Sequence, residues 1–371
     1  MIYLNQAATT YPKPDSVIKA VERAISLPPH LGNRGFGDKT DIIKKCKCEI
    51  ADLFNIKNAD RIYFTSGATD SSNRIINGLQ LNNKNVITTQ TEHNAILRPL
   101  YNSVKCNLNI IPCNAKGELN FEEYYGKIDN NVDAVFVNHC SNVTGIALPL
   151  KKMALYAKQN GALFIVDASQ SAGMLDIDVE DMGIDILIFT GHKGLYGPSG
   201  TGGYYVRDGI NLKPSVYGGT GLDSELVVLP DDYSQYEVGT QNLVGIEGLL
   251  AGINFIQSTG IDKIRAHEHE LINLIKDTFK RNEKVTVYGS GNSQGSVISF
   301  NLAGLAASDT AYILANSYDC IVRSGLHCAP LIHNAIGTKK NGTVRVSVSY
   351  FNTVEEVNEF LNIIDDICAS L

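Results

Sequence analysis

Asp185–Val206 reads DILIFTGHKGLYGPSGTGGYYV. An apolar run (Ile186, Leu187, Ile188, Phe189) stops at Thr190-Gly191-His192-Lys193-Gly194. A second apolar run follows Gly197-Pro198 and Gly200-Thr201-Gly202-Gly203. A lysine where a buried strand stops, among glycines and beside a histidine, has two readings. In a partly dehydrated pocket its amine loses some charge and becomes a nucleophile toward carbonyl carbon. On an open surface it only solvates a turn. The stretch alone does not choose, and the rest of the chain must.

Upstream, short continuous apolar runs alternate with helical patterns, as in a largely parallel sheet covered on both faces. Ile62-Tyr63-Phe64 precedes the small-residue turn Thr65-Ser66-Gly67-Ala68-Thr69-Asp70 and a helix through Ile75, Ile76 and Leu79. Free amides at such a helix N-terminus attract anions, so a phosphate fits there, although ordinary capping by Ser66 or Thr69 explains the turn equally well. Asn85–Thr89 leads to Thr91-Glu92-His93-Asn94 and a helix. Leu108–Ile111 is a strand, Phe121–Ile128 a helix, and Ala134–Val137 a strand that ends before Asn138-His139-Cys140-Ser141-Asn142. A helix over Leu150–Asn160 is followed by Leu163–Val166, which ends in Asp167. Thr69, His93, Asn142, Asp167 and Lys193 thus all fall just beyond an apolar run, at the strand ends where open α/β sheets bind ligands.

Before this region, the strand Ile2-Tyr3-Leu4 leads to a helix carrying Val17, Ile18, Val21 and Ile25, which Asp15 or Ser16 can cap. Pro28-Pro29 ends it, the glycine-rich segment Gly32-Asn33-Arg34-Gly35-Gly37 follows, and a helix spans about Thr40–Phe54, with Cys46 in its core. After Gly252 the pattern changes. A long helix over Ile261–Lys280 carries His267, Glu268, His269 and Glu270, read as a solvated face rather than a metal site. Strands at Val285–Tyr288, Val297–Phe300 and Thr343–Val348, with helices at Asp309–Tyr318 and Val354–Cys368, form a smaller α+β unit. The expected division is a large domain over 15–255 and a small one built from 1–14 and 256–371.

The chain has 371 residues, is 44% hydrophobic and carries a net charge of −7. The acidic balance argues against nucleic acid or an anionic membrane as its main partner. No segment approaches the roughly 20 apolar residues of a membrane span, and the N-terminus lacks the basic and apolar regions of a signal peptide. Eight scattered cysteines without zinc-type spacing fit a cytoplasmic protein with reduced thiols, most of them small buried hydrophobes.

One cofactor uses every group at the sheet edge. The aldehyde of pyridoxal 5′-phosphate takes a lysine as Schiff base, its ring nitrogen needs a carboxylate, and its phosphate suits a helix N-terminus with hydroxyls. Lys193 would form the imine and Asp167 would pair with the ring nitrogen. Gln170 would reach the ring oxygen, Thr69, Thr190 and His192 the phosphate, and His93 the ring face.

The motifs YLNQAATT (3–10), TSGATDSSN (65–73), TEHNAILRP (91–99), SNVTGIALP (141–149), VDASQSAG (166–173), FTGHKGLYGPSG (189–200), YEVGTQN (236–242), RSGLHCAP (323–330) and VRVSVSYFNT (344–353) resemble the class V aminotransferase-fold family. The likeness is strongest to the cysteine desulfurases and selenocysteine lyases. The resemblance implies fold type I of the pyridoxal-phosphate transferases: a large seven-stranded-type sheet domain and a smaller C-terminal α+β domain. It implies Lys193 as the Schiff-base residue and His93 as stacker and proton shuttle, with Asn142 and Gln170 on the ring oxygen. Ala68 joins Thr69 at the cofactor, and Thr240 reaches the phosphate of a neighbouring subunit, hence a homodimer with shared active sites. Cys328 lies in what resembles the short form of the catalytic-cysteine loop. Arg345, with Arg323 and Asn142, would meet the substrate, Arg345 as a planar fork for its α-carboxylate.

The implied reaction converts L-cysteine to L-alanine, with sulfur carried as a persulfide on Cys328 to an acceptor protein, as in iron–sulfur cluster assembly. Asn5-Gln6, Asp70, Leu326 and Gln241 depart from the family's usual residues. A selenocysteine lyase, another C–S β-lyase or a transaminase stays open on the same scaffold. A non-catalytic sulfur carrier is the alternative of a different class.

Overall fold

The computed structural model describes all residues except 29–40, 221–224, 229–235 and 292. The expected Gly32–Gly37 segment, Pro29 and Thr40 lie outside the described residues. Among those described, the first part of the chain runs β1 (Ile2–Tyr3), α1 (Asp15–Ser26), α2 (Ile42–Phe54), β2 (Ile62–Thr65), α3 (Ala68–Gly78), β3 (Asn85–Thr89) and α4 (Asn94–Asn102). It continues through β4 (Asn107–Ile111), α5 (Phe121–Lys127), β5 (Val132–Asn138), α6 (Leu150–Gln159), β6 (Leu163–Asp167), β7 (Ile186–Thr190), β8 (Gly202–Val206) and α7 (Leu243–Thr259). The remainder is α8 (Ile261–Phe279), β9 (Val285–Tyr288), β10 (Val297–Leu302), α9 (Ala307–Tyr318) and β11 (Cys320–Ile321). Then come β12 (Arg323–Gly325), α10 (Ile332–Ala335), β13 (Thr343–Ser347) and α11 (Val354–Ser370).

Seven strands form one sheet in the order β2-β8-β7-β6-β5-β3-β4. Side chains alternate along each strand, so successive residues enter opposite cores. Val135, Phe164, Val166, Leu187 and Phe189 pack on one face with Ile50, Met153 and Leu249 from α2, α6 and α7. Ala134, Phe136, Ile165, Ile186 and Ile188 pack on the other with Ile75, Ile76 and Ile96 from α3 and α4. Phe136 and Phe164 are both fully buried, worth about 1.5–3 kcal/mol each relative to exposure. Burial on both faces explains why these strands read as continuous apolar runs.

The sheet is mixed. β8 is antiparallel to both β2 and β7, because the Gly191–Thr201 connection is too short for a crossover helix, which a parallel return needs. The chain therefore turns sharply just where Lys193 stands. Two glycines admit that turn. A Cβ on Gly173, itself at φ +80°, would lie 2.2 Å from the Gly194 carbonyl oxygen, and one on Gly252 would lie 2.3 Å from that of Leu195. Gly252 belongs to α7, which the sequence pattern does not reveal. Its stretch LVGIEGLLAGINFIQST is apolar nearly all round, so no helical stripe stands out.

The antiparallel sheet β12-β13-β10-β9 is backed by α8, α9 and α11 over a separate core that also takes in Ile2 and Leu4. α8 begins in the first core at Ile264 and joins the last from Leu271. Its face is solvated only in part, with Glu270 exposed and His267 and His269 half-buried. Glu268 is only 4% exposed and is hydrogen-bonded to Ser296 and to the Tyr196 hydroxyl. His267 bonds the Asn352 carbonyl. The helical period puts Glu268 on the same stripe as Ile264, Leu271 and Ile272, and the tertiary packing closes over it. Another correction concerns α1, whose N-cap is Pro14 with no side-chain cap, neither Asp15 nor Ser16 serving.

Burial raises the Glu268 carboxyl from about 4.5 to about 7. Between those values the folded chain holds a proton that the unfolded chain lacks. Its stability contribution is therefore full below the unfolded value and is lost as pH rises through about 7. Glu268→Gln, neutral at every pH, is expected to be more stable than the parent at pH 8 by on the order of 3 kcal/mol. The two should coincide near pH 4 in paired denaturant melts.

Among the described residues no helix is long and apolar enough to cross a membrane, and no group of His, Cys, Asp and Glu is arranged to hold a metal. All eight cysteines are free. Cys46, Cys140, Cys320 and Cys368 are buried, and Cys48 is exposed.

Candidate active site

A cavity of about 330 Å³ opens at the carboxyl edge of the large sheet. Its lining includes Ala68, Thr69, His93, Asn142, Asp167, Gln170, Thr190, His192, Lys193, Arg323 and Arg345. The expected sheet-edge residues sit where strands of the seven-stranded sheet end: Thr69 beyond β2, His93 beyond β3, Asn142 beyond β5, Asp167 at the end of β6 and Lys193 beyond β7. Arg323 and Arg345 come from the smaller sheet and close the opposite wall. Cys328 and Thr240 are not in this lining. Cys328 lies within electrostatic reach of Lys193 and Arg345, and its Sγ accepts a 3.1 Å hydrogen bond from Arg323 Nη2. Thr240 lines a neighbouring cavity that shares Ser66 and Asp70.

Lys193 Nζ makes no hydrogen bond or ion pair among the described residues. Burial lowers its pKa to about 8, with Arg345 and Arg323 acting in the same sense and Asp167 opposing. Its backbone is clamped instead. The His192 carbonyl accepts from Thr10 N, both the Thr9 and Thr10 hydroxyls, and Lys13 Nζ at 2.9–3.2 Å. Lys13 is likewise pushed down to about 8 by burial, but its amine is spent on Thr10 Oγ1 and the His192 carbonyl. Of the two, only Lys193 offers an amine to the cavity.

Asp167 is buried and accepts from the Ser169 amide at 2.9 Å and the Ser169 hydroxyl at 2.5 Å. These bonds aim the carboxylate. His93 caps α4 through Nδ1, which accepts from Ala95 N at 3.0 Å. Burial, then Lys193, pushes its pKa down to about 4, so the ring is neutral with its proton on Nε2. Neither Ser66 nor Thr69 caps α3. The N-cap is Gly67 without a side-chain bond, which leaves the first amides of α3 facing the cavity beside Thr190 and His192.

Arg345 is 0% exposed and lies directly across the ladder from Arg323. Among the described residues its Nη atoms reach only the Asn142 carbonyl and Asn5 Oδ1, and Nε has no partner. Burial first, and Arg323 second, press its pKa down. A buried cation without a carboxylate partner beside a second cation is a standing demand for an anion. Gln6 is not in this lining and is bonded to Tyr11 and Asn352, so its longer side chain adjusts the N-terminal turn. Two polar contributors were missed in the sequence. Ser169 stands two residues after Asp167, a signal that was available. Glu92, fully buried, hydrogen-bonded to Asn138 N and raised to about 8 by burial, follows no local pattern.

These donors fit pyridoxal 5′-phosphate. The site offers an unengaged amine, a fixed carboxylate, uncapped amides for a phosphate and an orphaned Arg345 Nε for a substrate carboxylate. The free amine gives a testable pH dependence. The lysine is charged and unreactive below about 8, so apoprotein is expected to capture the aldehyde faster as pH rises, levelling off above that value. Stopped-flow absorbance reads this directly.

The family description "Aminotransferase class-V" matches residues 2–360. The chain is 33% identical to a probable cysteine desulfurase of Pyrococcus abyssi, over 100% of this chain and 95% of that one. It is 30% identical to a cysteine desulfurase of Salmonella agona, over 97% and 92%. Among solved structures, the apo cysteine desulfurase of Thermococcus onnurineus superposes with a TM-score of 0.93 at 31% identity, covering 100% of this chain and 95% of that one. The Escherichia coli cysteine desulfurase CsdA, in an S-sulfonic acid form, gives 0.89 at 25% identity, with 100% and 95% covered.

Proposed function

This chain belongs to the class-V aminotransferase family, whose cysteine desulfurase members depend on pyridoxal 5′-phosphate, and from that premise we propose that it takes sulfur from L-cysteine onto Cys328. The observation that carries the reading is the pairing of two features on one short segment. Arg323 lines the cavity beside Arg345, and the same guanidinium holds the Cys328 sulfur. A substrate anchored by its α-carboxylate on Arg345 is thereby placed next to a thiol.

When bound, the cofactor supplies an aldehyde for the amino group and an electron sink for the pair left at Cα. The chain's residues do the rest. The α3 amides, Thr69, Thr190 and His192 would hold the phosphate. Asp167 would pair with the ring nitrogen, Gln170 and Asn142 would meet the ring oxygen, and His93 would lie at the ring face. Lys193 Nζ would take the Cα proton. The Cys328 thiolate attacks the substrate sulfur. The S–S bond forms as the Cβ–S bond breaks, the electron pair goes to Cβ, and Cβ and Cα each take one proton as the product leaves as L-alanine. His93 exchanges protons at Nε2. Cys328 keeps the extra sulfur as a persulfide for an acceptor protein. We further assign a cytoplasmic homodimer in which Thr240 completes the partner's phosphate site, and a large domain over 15–255 with a small domain over 1–14 and 256–371.

The test is alanine and sulfide production from cysteine in the presence of thiol, with selenocysteine as competitor. Stoichiometric alanine with sulfur on Cys328 supports the reading. Keto-acid formation without sulfur release would replace it with transamination.

A further inference from the structure

We propose that His327 is the positioning residue of the sulfur-accepting loop, its buried ring and its carbonyl together holding Cys328 in a strained conformation that keeps the thiol on Arg323. This rests on the reading of Cys328 as the thiol that takes the sulfur. His327 and Cys328 both lie in the left-handed region, at φ 50° and 59°, which few non-glycine residues take, His more readily than Cys. Two such residues in succession persist only where the surroundings over-determine them.

Here they do. The His327 ring is 1% exposed, with Nε2 at 2.9 Å from Thr343 Oγ1 and 3.1 Å from the Thr343 carbonyl. Since that carbonyl only accepts, Nε2 carries the proton, and Nδ1 is left without a partner among the described residues. The His327 carbonyl accepts from Asn142 Nδ2 at 2.6 Å. The Cys328 carbonyl accepts from Asn94 N at 2.7 Å. The loop is therefore pinned to β13 behind it and to the cofactor side in front, and Asn142 and Asn94 adjoin the cavity groups. Gly342 tightens the rear wall, since a Cβ there would lie 2.6 Å from the Gly325 backbone.

The ring is an anchor and not a base for the thiol. It points to Thr343, while the sulfur is held by Arg323. The charged or titratable groups facing it are Arg345, His333 and Arg323, and burial with these neighbours keeps it neutral. His333 lies behind it with ring centroids 5.8 Å apart and planes tilted by 38°, and is tied to Thr338.

The experiment uses the full chain with its cofactor and compares His327→Leu, His327→Gln and Thr343→Val with the parent. Labelling of Cys328 by a bulky maleimide, followed by peptide mass spectrometry, reads the loop without requiring turnover. Single-turnover addition of one sulfur to Cys328 reads productive geometry. His327→Leu fills the space without a donor and is expected to label at least about threefold faster, because the released loop opens to solvent. The same variant should accept sulfur at least about tenfold more slowly, because a misplaced nucleophile loses its alignment. Cofactor content and the KM for cysteine should stay near the parent's. His327→Gln keeps a donor toward Thr343 and should restore most of both rates. Thr343→Val should shift both in the same directions by about twofold, and it decides the matter if His327→Leu does not fold. Parental labelling in the variants, or no rescue by glutamine, overturns the proposal. If the parent itself gains no sulfur on Cys328, the functional reading fails, and the labelling arm still judges the anchor.

Discussion

Lys193→Ala is expected to abolish alanine formation from cysteine, with a loss on the order of a thousandfold or more. The residue is asked to do two jobs, to hold the cofactor covalently and to take the Cα proton, and no neighbour can inherit either. Lys13 has a similarly lowered pKa but is bound to Thr10 and the His192 carbonyl. His93 uses Nδ1 on its own helix. The variant should fold, because the contacts that shape the loop are made by the His192 carbonyl and by Gly173 and Gly252, not by the lysine amine. Borohydride reduction followed by mass spectrometry should fix the cofactor to the peptide containing residue 193 in the parent and leave the variant unlabelled. Retention of covalent cofactor in the variant would remove Lys193 from the mechanism.

Cys328→Ala is expected to separate the chemistries that share this scaffold. Sulfur release from cysteine should fall by on the order of a hundredfold, because transfer to sulfur needs a sulfur nucleophile. Cofactor binding should be unchanged, since the cavity lining does not include Cys328. Selenium release from selenocysteine should persist in large part. If sulfur release also persists, the protein is a selenocysteine lyase or another C–S β-lyase, and Cys328 is a packing residue. Removing the thiol also deletes the sulfur acceptor of the Arg323 bond. Cys328→Ser retains a hydroxyl there and controls for that loss.

The sheet-edge residues were legible because strand ends are local events. An apolar run stops, and the next polar side chain lies at the carboxyl edge. Hence Thr69, His93, Asn142, Asp167 and Lys193 could be assigned to one place from order alone, and all five line one cavity. Glu268 failed the same logic. Its neighbours His267, His269 and Glu270 are polar, and only the meeting of α8 with Ser296 and Tyr196 buries it. α7 was invisible for the opposite reason, being apolar on nearly every side. The direction of β8 needed the sheet pairing itself.

Of the lysine stretch, the residue order by itself determined that an amine stands at a strand end among glycines, and the motifs along the chain named its cofactor. Only the tertiary structure decided that this amine is half-buried and, among the described residues, unpaired, and that two arginines from a distant sheet line the same cavity. It also decided that Cys328 is drawn beside them in a left-handed turn. The physical reason is that local pattern records which face of an element is apolar. Desolvation, orphaned donors and facing charges arise only when separate elements meet.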